Sequence, residues 1–326
     1  MLSDTIATRF PHDATDTLPP AVRSFYRDQQ RSWPMLADGV KALASVQTRS
    51  IRLDDATVML QFNPKRIVST AAKVDPASIK ERKCFLCVNH LPAEQRGILY
   101  RDSFLILCNP MPIFAEHFTV SHVDHIPQSI EEQILPMLDL AKDLEGSHAV
   151  FYNGPKCGAS APDHMHFQAC PAGSIPVEHE SLDPSRRRYV RTIASVTASM
   201  LERYHRGVIV LNGQQRQEME LTFLRLTGAM RKMTNSVDEP MMNVICSYSG
   251  GSWNLIVIPR TKHRPDVYFL DGDQKILISP AAVDIGGMIV TPAEKDFRGV
   301  DAGTIDRIFR EVTVSDDIIQ SIIRSL

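Results

Sequence analysis

Asn153-Gly154-Pro155-Lys156-Cys157-Gly158-Ala159-Ser160-Ala161-Pro162-Asp163-His164-Met165-His166-Phe167-Gln168-Ala169 is the stretch on which the fold turns. Its first part is a loop of small residues, in which Gly154 and Gly158 can take backbone angles that other residues avoid. From His164 onward the pattern alternates. His164, His166 and Gln168 fall on one side, and Met165, Phe167 and Ala169 on the other. That period of two predicts a half-buried strand. Two imidazoles and an amide therefore project beside a loop rich in backbone N–H groups, and such loops form concave anion sites.

The chemistry this suits is attack on phosphorus. A neutral imidazole is a nucleophile near pH 7, and a covalent intermediate divides one hard displacement into two easier ones. Loop N–H groups and Ser160 are placed to hold phosphoryl oxygens where charge develops. An isolated His-x-His is more often an ordinary strand feature. The adjoining loop and Gln168 tip the balance towards chemistry.

Working outward, Cys84-x-x-Cys87 suggests metal or redox chemistry, but a zinc site needs two further ligands. Candidates are His90, His117, His122, His125, His164 and His179. Asn63-Pro64-Lys65-Arg66 follows the expected hairpin of residues 48–53 and 57–62, turned at Asp54-Asp55, and its cations could meet a phosphate. The apolar run Phe104–Cys108 reads as a buried strand ending at Asn109-Pro110. Residues 127–145 read as an amphipathic helix and 149–153 as the strand feeding the key loop. Residues 1–20 read as a loose arm, followed by short helices at 21–28 and 34–43.

His-x-His-x-Gln behind the Gly-x-Ser loop resembles the histidine triad (HIT) superfamily. More narrowly it resembles the branch holding galactose-1-phosphate uridylyltransferase, the diadenosine tetraphosphate phosphorylases and the GDP-hexose phosphorylases. The resemblance implies that His166 becomes nucleotidylated, with Gln168, Ser160 and His164 as its catalytic neighbours. It implies a structural zinc on Cys84, Cys87, His125 and His164. It also implies nucleotide or sugar-phosphate contacts from Asn63, Arg66, Asn109, Asn153 and Gly158. Gln168 stands where hydrolase branches carry a third histidine. One more residue separates Ser160 from His164 than in those relatives.

The second half reads as a faint repeat. Residues 191–204 and 215–233 are expected as helices, with 208–211 extended between them and Arg186-Arg187-Arg188 as a solvated helix start. Two strands follow at 241–247 and 253–258. Setting Leu255–Pro265 against His117–Pro127 aligns His263 with His125. No His-x-His-x-Gln follows, so the copy lacks the nucleophile. Arg260, Lys262, His263 and Arg264 form the densest positive cluster, which could grip a second phosphate. Residues 280–290 read as a further strand region, with helices at 304–309 and 316–323.

At 326 residues and 43% hydrophobic, the chain can bury a large core. A formal charge of −2 excludes a nucleic-acid-coating protein. No apolar run is long enough for a membrane span, no leader is evident, and six unpatterned cysteines fit a cytoplasmic setting. The expected fold is α+β, with two HIT-like halves forming an internal pseudo-dimer. Residues 1–47 form an N-terminal arm and helices, 48–180 the half with the motif, and 186–326 the half without it. The expected activity is nucleotidyl transfer from a nucleoside diphosphate sugar or dinucleoside polyphosphate to phosphate or a sugar phosphate, by a monomer or homodimer. The alternatives are a nucleotide hydrolase and a non-catalytic zinc-stabilised nucleotide binder.

Overall fold

A computed structural model describes residues 2–14, 17–54, 56–67, 75–234 and 237–326. Asp55, half of the expected turn pair, lies outside them. The fold is α+β. Its strands are β1 (Ile6–Phe10), β2 (Gln47–Leu53), β3 (Ala56–Phe62), β4 (Gly97–Tyr100), β5 (Phe104–Cys108), β6 (Phe118–His122) and β7 (His148–Asn153). They continue with β8 (His166–Pro171), β9 (Arg187–Ile193), β10 (Val196–Leu201), β11 (Ile209–Gly213), β12 (Met242–Ser249), β13 (Ser252–Pro259) and β14 (Met288–Thr291).

Eleven strands form one sheet in the order β1-β4-β5-β6-β8-β7-β12-β13-β11-β10-β9, antiparallel except where β1 meets β4. Two copies of one unit are visible in that order. In the first, β4, β5 and β6 lead through helix Ile134–Asp143 to β7 and β8; in the second, β9, β10 and β11 lead through helix Arg216–Thr234 to β12 and β13. Counted outward from the central pair, β7-β8-β6-β5-β4 mirrors β12-β13-β11-β10-β9. The halves join through β7 and β12, where Asn153 lies opposite Asn243 and Phe151 opposite Ile245.

This topology corrects the alignment of the repeat. β13 is the counterpart of β8, not of β6, so His263 is not the equivalent of His125. Residues 191–204 are also not a helix. They are parts of β9 and β10, joined at Ala194, whose φ of 52° turns the chain. Val196, Ala198 and Met200 alternate into the core, a strand period masked because Ala198 is small and only Thr197 and Ser199 lie between them. Arg187 and Arg188 belong to β9 and not to a helix start. The helix expected over 127–145 is confined to Ile134–Asp143. Ile6–Phe10 is not a loose arm, because β1 closes one edge of the sheet. In the region 280–290, a short helix (Ala282–Ile285) precedes β14.

The alternation of each strand divides two cores. Val150, Tyr152, Phe167 and Ala169 pack on one face, under helices Leu18–Ser32, Ile134–Asp143 and Arg216–Thr234. Phe151, Cys170, Ile245 and Ile256 face the other way. There they meet a small sheet of order β14-β3-β2 and helix Ala302–Val312. His166 and Gln168 share this second face with Phe151, since Gln168 pairs with Phe151 in the register. On the same face β13 offers Ile256 and Ile258.

Candidate active site

The loop 153–163 is pinned from the second half. The Asn153 side-chain oxygen accepts from Asn243 Nδ2 at 3.0 Å and from the Ala282 backbone N–H at 2.8 Å. Asn243 also donates to the Cys157 carbonyl at 2.8 Å. Gly158 has φ +100°, and a Cβ there would stand 2.7 Å from the Ala281 Cβ, so both backbone angle and space demand glycine. Beyond the loop, Gln128 accepts from the His166 backbone N–H at 2.8 Å and donates to the carbonyls of Asn153 and His166, tying β7 to β8.

His166 is buried, 4% exposed. Its Nδ1 lies 2.8 Å from the His164 carbonyl oxygen, which can only accept, so Nδ1 carries the proton. Nε2 then keeps its lone pair. Burial, and next the charge of His164, press this imidazole down to about 4, against the opposing pull of the His164 carbonyl. The ring is neutral near pH 7.

His164 points its ring the other way. Its Nε2–H donates to the His122 carbonyl at 2.8 Å, so Nδ1 is the nitrogen turned towards the cysteines. That nitrogen is 3.3 Å from Cys84 Sγ and 3.6 Å from Cys87 Sγ, and Cys87 Sγ is 3.1 Å from His125 Nδ1. The four ligand atoms of Cys84, Cys87, His125 and His164 lie within 4.8 Å of one another. Metal–sulfur and metal–nitrogen bonds of ordinary zinc length imply sulfur–nitrogen edges of roughly 3.5 Å in a tetrahedron. The donor set, the spacing and the direction of the His164 ring therefore suit a closed metal site. Burial opposes ionisation of Cys84, but the His164 hydrogen bond and the N–H groups of Leu86 and Cys87 bring its thiol down to about 6. Asp163, in a 2.5 Å ion pair with Arg82, stands 3.7 Å from His125 Nε2.

A cavity of 640 Å³ opens over His166. Gln168, Asn153, Gly158, Ser160, Arg66 and Asn109 line it with His166, as the motif reading expects. His164, expected as a catalytic neighbour, does not line it, and neither do three expected substrate contacts. Asn63 is buried and donates to Gln61 and to the Pro112 carbonyl. Lys262 is ion-paired with Asp266 and Glu311. Arg260 is buried and gives hydrogen bonds to Asn243 and to the carbonyls of Val312, Pro280, Lys262 and His263. It braces the wall from behind. Its neighbours His263 and Arg264 line the cavity instead, and Arg264 donates to Ser279 at 2.9 Å.

Sequence reasoning offered His117 only as a candidate metal ligand and missed its place beside Gln168; it is not in the metal cluster. It is fully buried and sits 2.9 Å, through Nε2, from Gln168 Oε1. His117 immediately precedes β6, where Thr119 pairs with Gln168, but neither its type nor its spacing names this partner. Gln128 and Asp284 were missed as well. Asp284 lines the cavity, accepts from the N–H groups of Ala281 and Val290, and is raised by burial to about 6. It packs its carboxylate against the wall without any sequence motif to mark it.

Residues 25–171 match the model of a domain of unknown function, DUF4922. No curated protein matches the chain in sequence. Among solved structures, yeast Ap4A phosphorylase Apa2 is similar over nearly its whole length. In its complex with AMP the TM-score is 0.59 at 14% identity, covering 90% of this chain and 97% of that one. In its complex with Ap4A the TM-score is 0.62 at 13% identity, covering 91% and 98%. Without those ligands it is 0.64 at 13%, covering 90% and 98%. At such identity the likeness establishes a shared fold. Among the described residues, no helix is long and apolar enough to cross a membrane.

Proposed function

We propose that the chain is a nucleotidyltransferase of the HIT-like superfamily, acting as a phosphorylase on a dinucleoside polyphosphate or a nucleoside diphosphate sugar. The observation that carries this reading is the His166 tautomer. A neutral imidazole with Nδ1–H held by a carbonyl presents a free Nε2 to a cavity. In the first step Nε2 bonds the α-phosphorus and the bond from phosphorus to the bridging oxygen breaks. Its electron pair leaves on the departing nucleoside polyphosphate or sugar phosphate. The Nδ1 proton stays in place, and its bond to the His164 carbonyl stabilises the cationic nucleotidyl-imidazole. In the second step an oxygen of the acceptor phosphate bonds phosphorus, and the electron pair of the P–N bond returns to Nε2.

Gln168, Ser160 and the Gly158 backbone lie where non-bridging oxygens would gain charge. Arg66 and Arg264 supply positive charge on the walls. Structures of the fold neighbour contain AMP and Ap4A, which supports a nucleotide as substrate. Zinc fits the Cys84, Cys87, His125 and His164 set and would supply a structural cross-link. That cross-link would fix the backbone of His164, and so the carbonyl that orients His166. A screen of dinucleoside polyphosphates and nucleotide sugars tests the function. Cleavage should require added phosphate and yield a nucleoside diphosphate. Cleavage that proceeds equally without phosphate would contradict a phosphorylase.

A further inference from the structure

His117 is fully buried and does not itself line the cavity; it touches Gln168, which does. Its Nδ1 lies 3.2 Å from the backbone nitrogen of Ile113. A backbone N–H can only donate, so Nδ1 must accept and the ring proton must sit on Nε2. That Nε2–H reaches Gln168 2.9 Å away, so the Gln168 atom facing it must be the oxygen. The backbone at Ile113 thus dictates, through one imidazole, which way an amide points three elements away. The remaining end of Gln168 is its NH2 group, and Gln168 lines the cavity beside His166.

We propose that His117 is a positioning residue that locks the Gln168 amide with its NH2 group towards the phosphoryl oxygens. A freely turning amide would spend part of its time presenting an oxygen to an anion, which repels it. The arrangement also accounts for glutamine at this position. The residue must accept on one side and donate on the other, and a carboxylate would present only acceptors. The lock holds across the working range because burial, and next the charge of Arg66, drive His117 down to about 3, so the ring stays neutral.

The effect on rate rests on the nucleotidyl-transfer reading, but the orientation does not, and the two are measured separately. In protein labelled with ¹⁵N at histidine and glutamine, His117 should show an unprotonated Nδ1 and a protonated Nε2 between about pH 5 and 8. A proton on Nδ1 would overturn the proposal whatever the activity. For the rate, His117→Asn keeps a group near Nδ1 but falls short of Gln168, whereas His117→Gln places a donor near Nε2. Both remove the ring, so a packing loss would affect both. His117→Asn should lower kcat at least about tenfold with KM within roughly threefold, and His117→Gln should restore most of it. In a Gln168→Ala background, His117→Asn should cost nothing further. Equal activity of His117→Asn and wild type, or an undiminished loss in that background, would overturn the proposal. A wild-type protein that transfers no nucleotide would sink the function proposed above, and the ¹⁵N pattern would still decide the orientation.

Discussion

Two details decide whether the His166 loop can take this path, and both sit at Gly158. Its φ of +100° is unfavourable for any side chain, and its missing Cβ makes room for Ala281. Gly158→Ala should therefore cost on the order of 1–3 kcal/mol, read as a shift in denaturant midpoint. A change below about 0.5 kcal/mol would mean that the loop relaxes freely. The same residue shows what sequence makes legible at this scale. Gly158, His166 and Gln168 advertise themselves by type and spacing. His117 does not, because its role depends on the Ile113 backbone, which lies four residues away and is brought round by a turn.

At the scale of elements, the Cys84–Cys87 segment and the turn carrying His125 are far apart in sequence and share little secondary structure. The short helix turn Val88–His90 is the only regular element between Cys87 and β4. They meet directly at Cys87 and His125, and His164 joins them, its ring in the cluster while its carbonyl holds His166. Purified protein should contain about one zinc per chain. Stripping it should lower the melting temperature and slow transfer together, since the same backbone serves both. Cys87→Ser should behave like the stripped protein. Loss of metal with unchanged transfer would separate the cluster from the site. Strand and helix assignment was uneven for a related reason. Periodicity marks β8 clearly because large residues alternate with polar ones. Along β10 the inward Ala198 is small and Ser199 and Leu201 are buried on the other face, so the alternation does not stand out.

Across the whole molecule, the second half serves the first without a nucleophile of its own. On its β13 apolar Ile256 and Ile258 occupy the sheet face that carries His166 and Gln168 on β8. Its contribution arrives through Asn243, Ala282 and Arg260, which hold the loop 153–163 from behind. The positive cluster around Arg260 was visible in sequence, but charge alone does not say which arginine faces a ligand. Arg260 is spent on five internal acceptors, while Arg264 reaches the cavity. Arg260→Met leaves those acceptors unpaired and should destabilise the protein by about 3–5 kcal/mol in equilibrium unfolding. A stable Arg260→Met protein that bound nucleotide more weakly would return Arg260 to the role of a phosphate ligand.

The central claim is that His166 Nε2 bonds phosphorus. Incubating the protein with a nucleotide substrate in the absence of acceptor, then mapping the adduct by mass spectrometry, tests it directly. A single nucleotidyl group on His166, absent from His166→Ala and discharged by added phosphate, is the result predicted here. No adduct under turnover conditions, or an adduct on another residue, would contradict it.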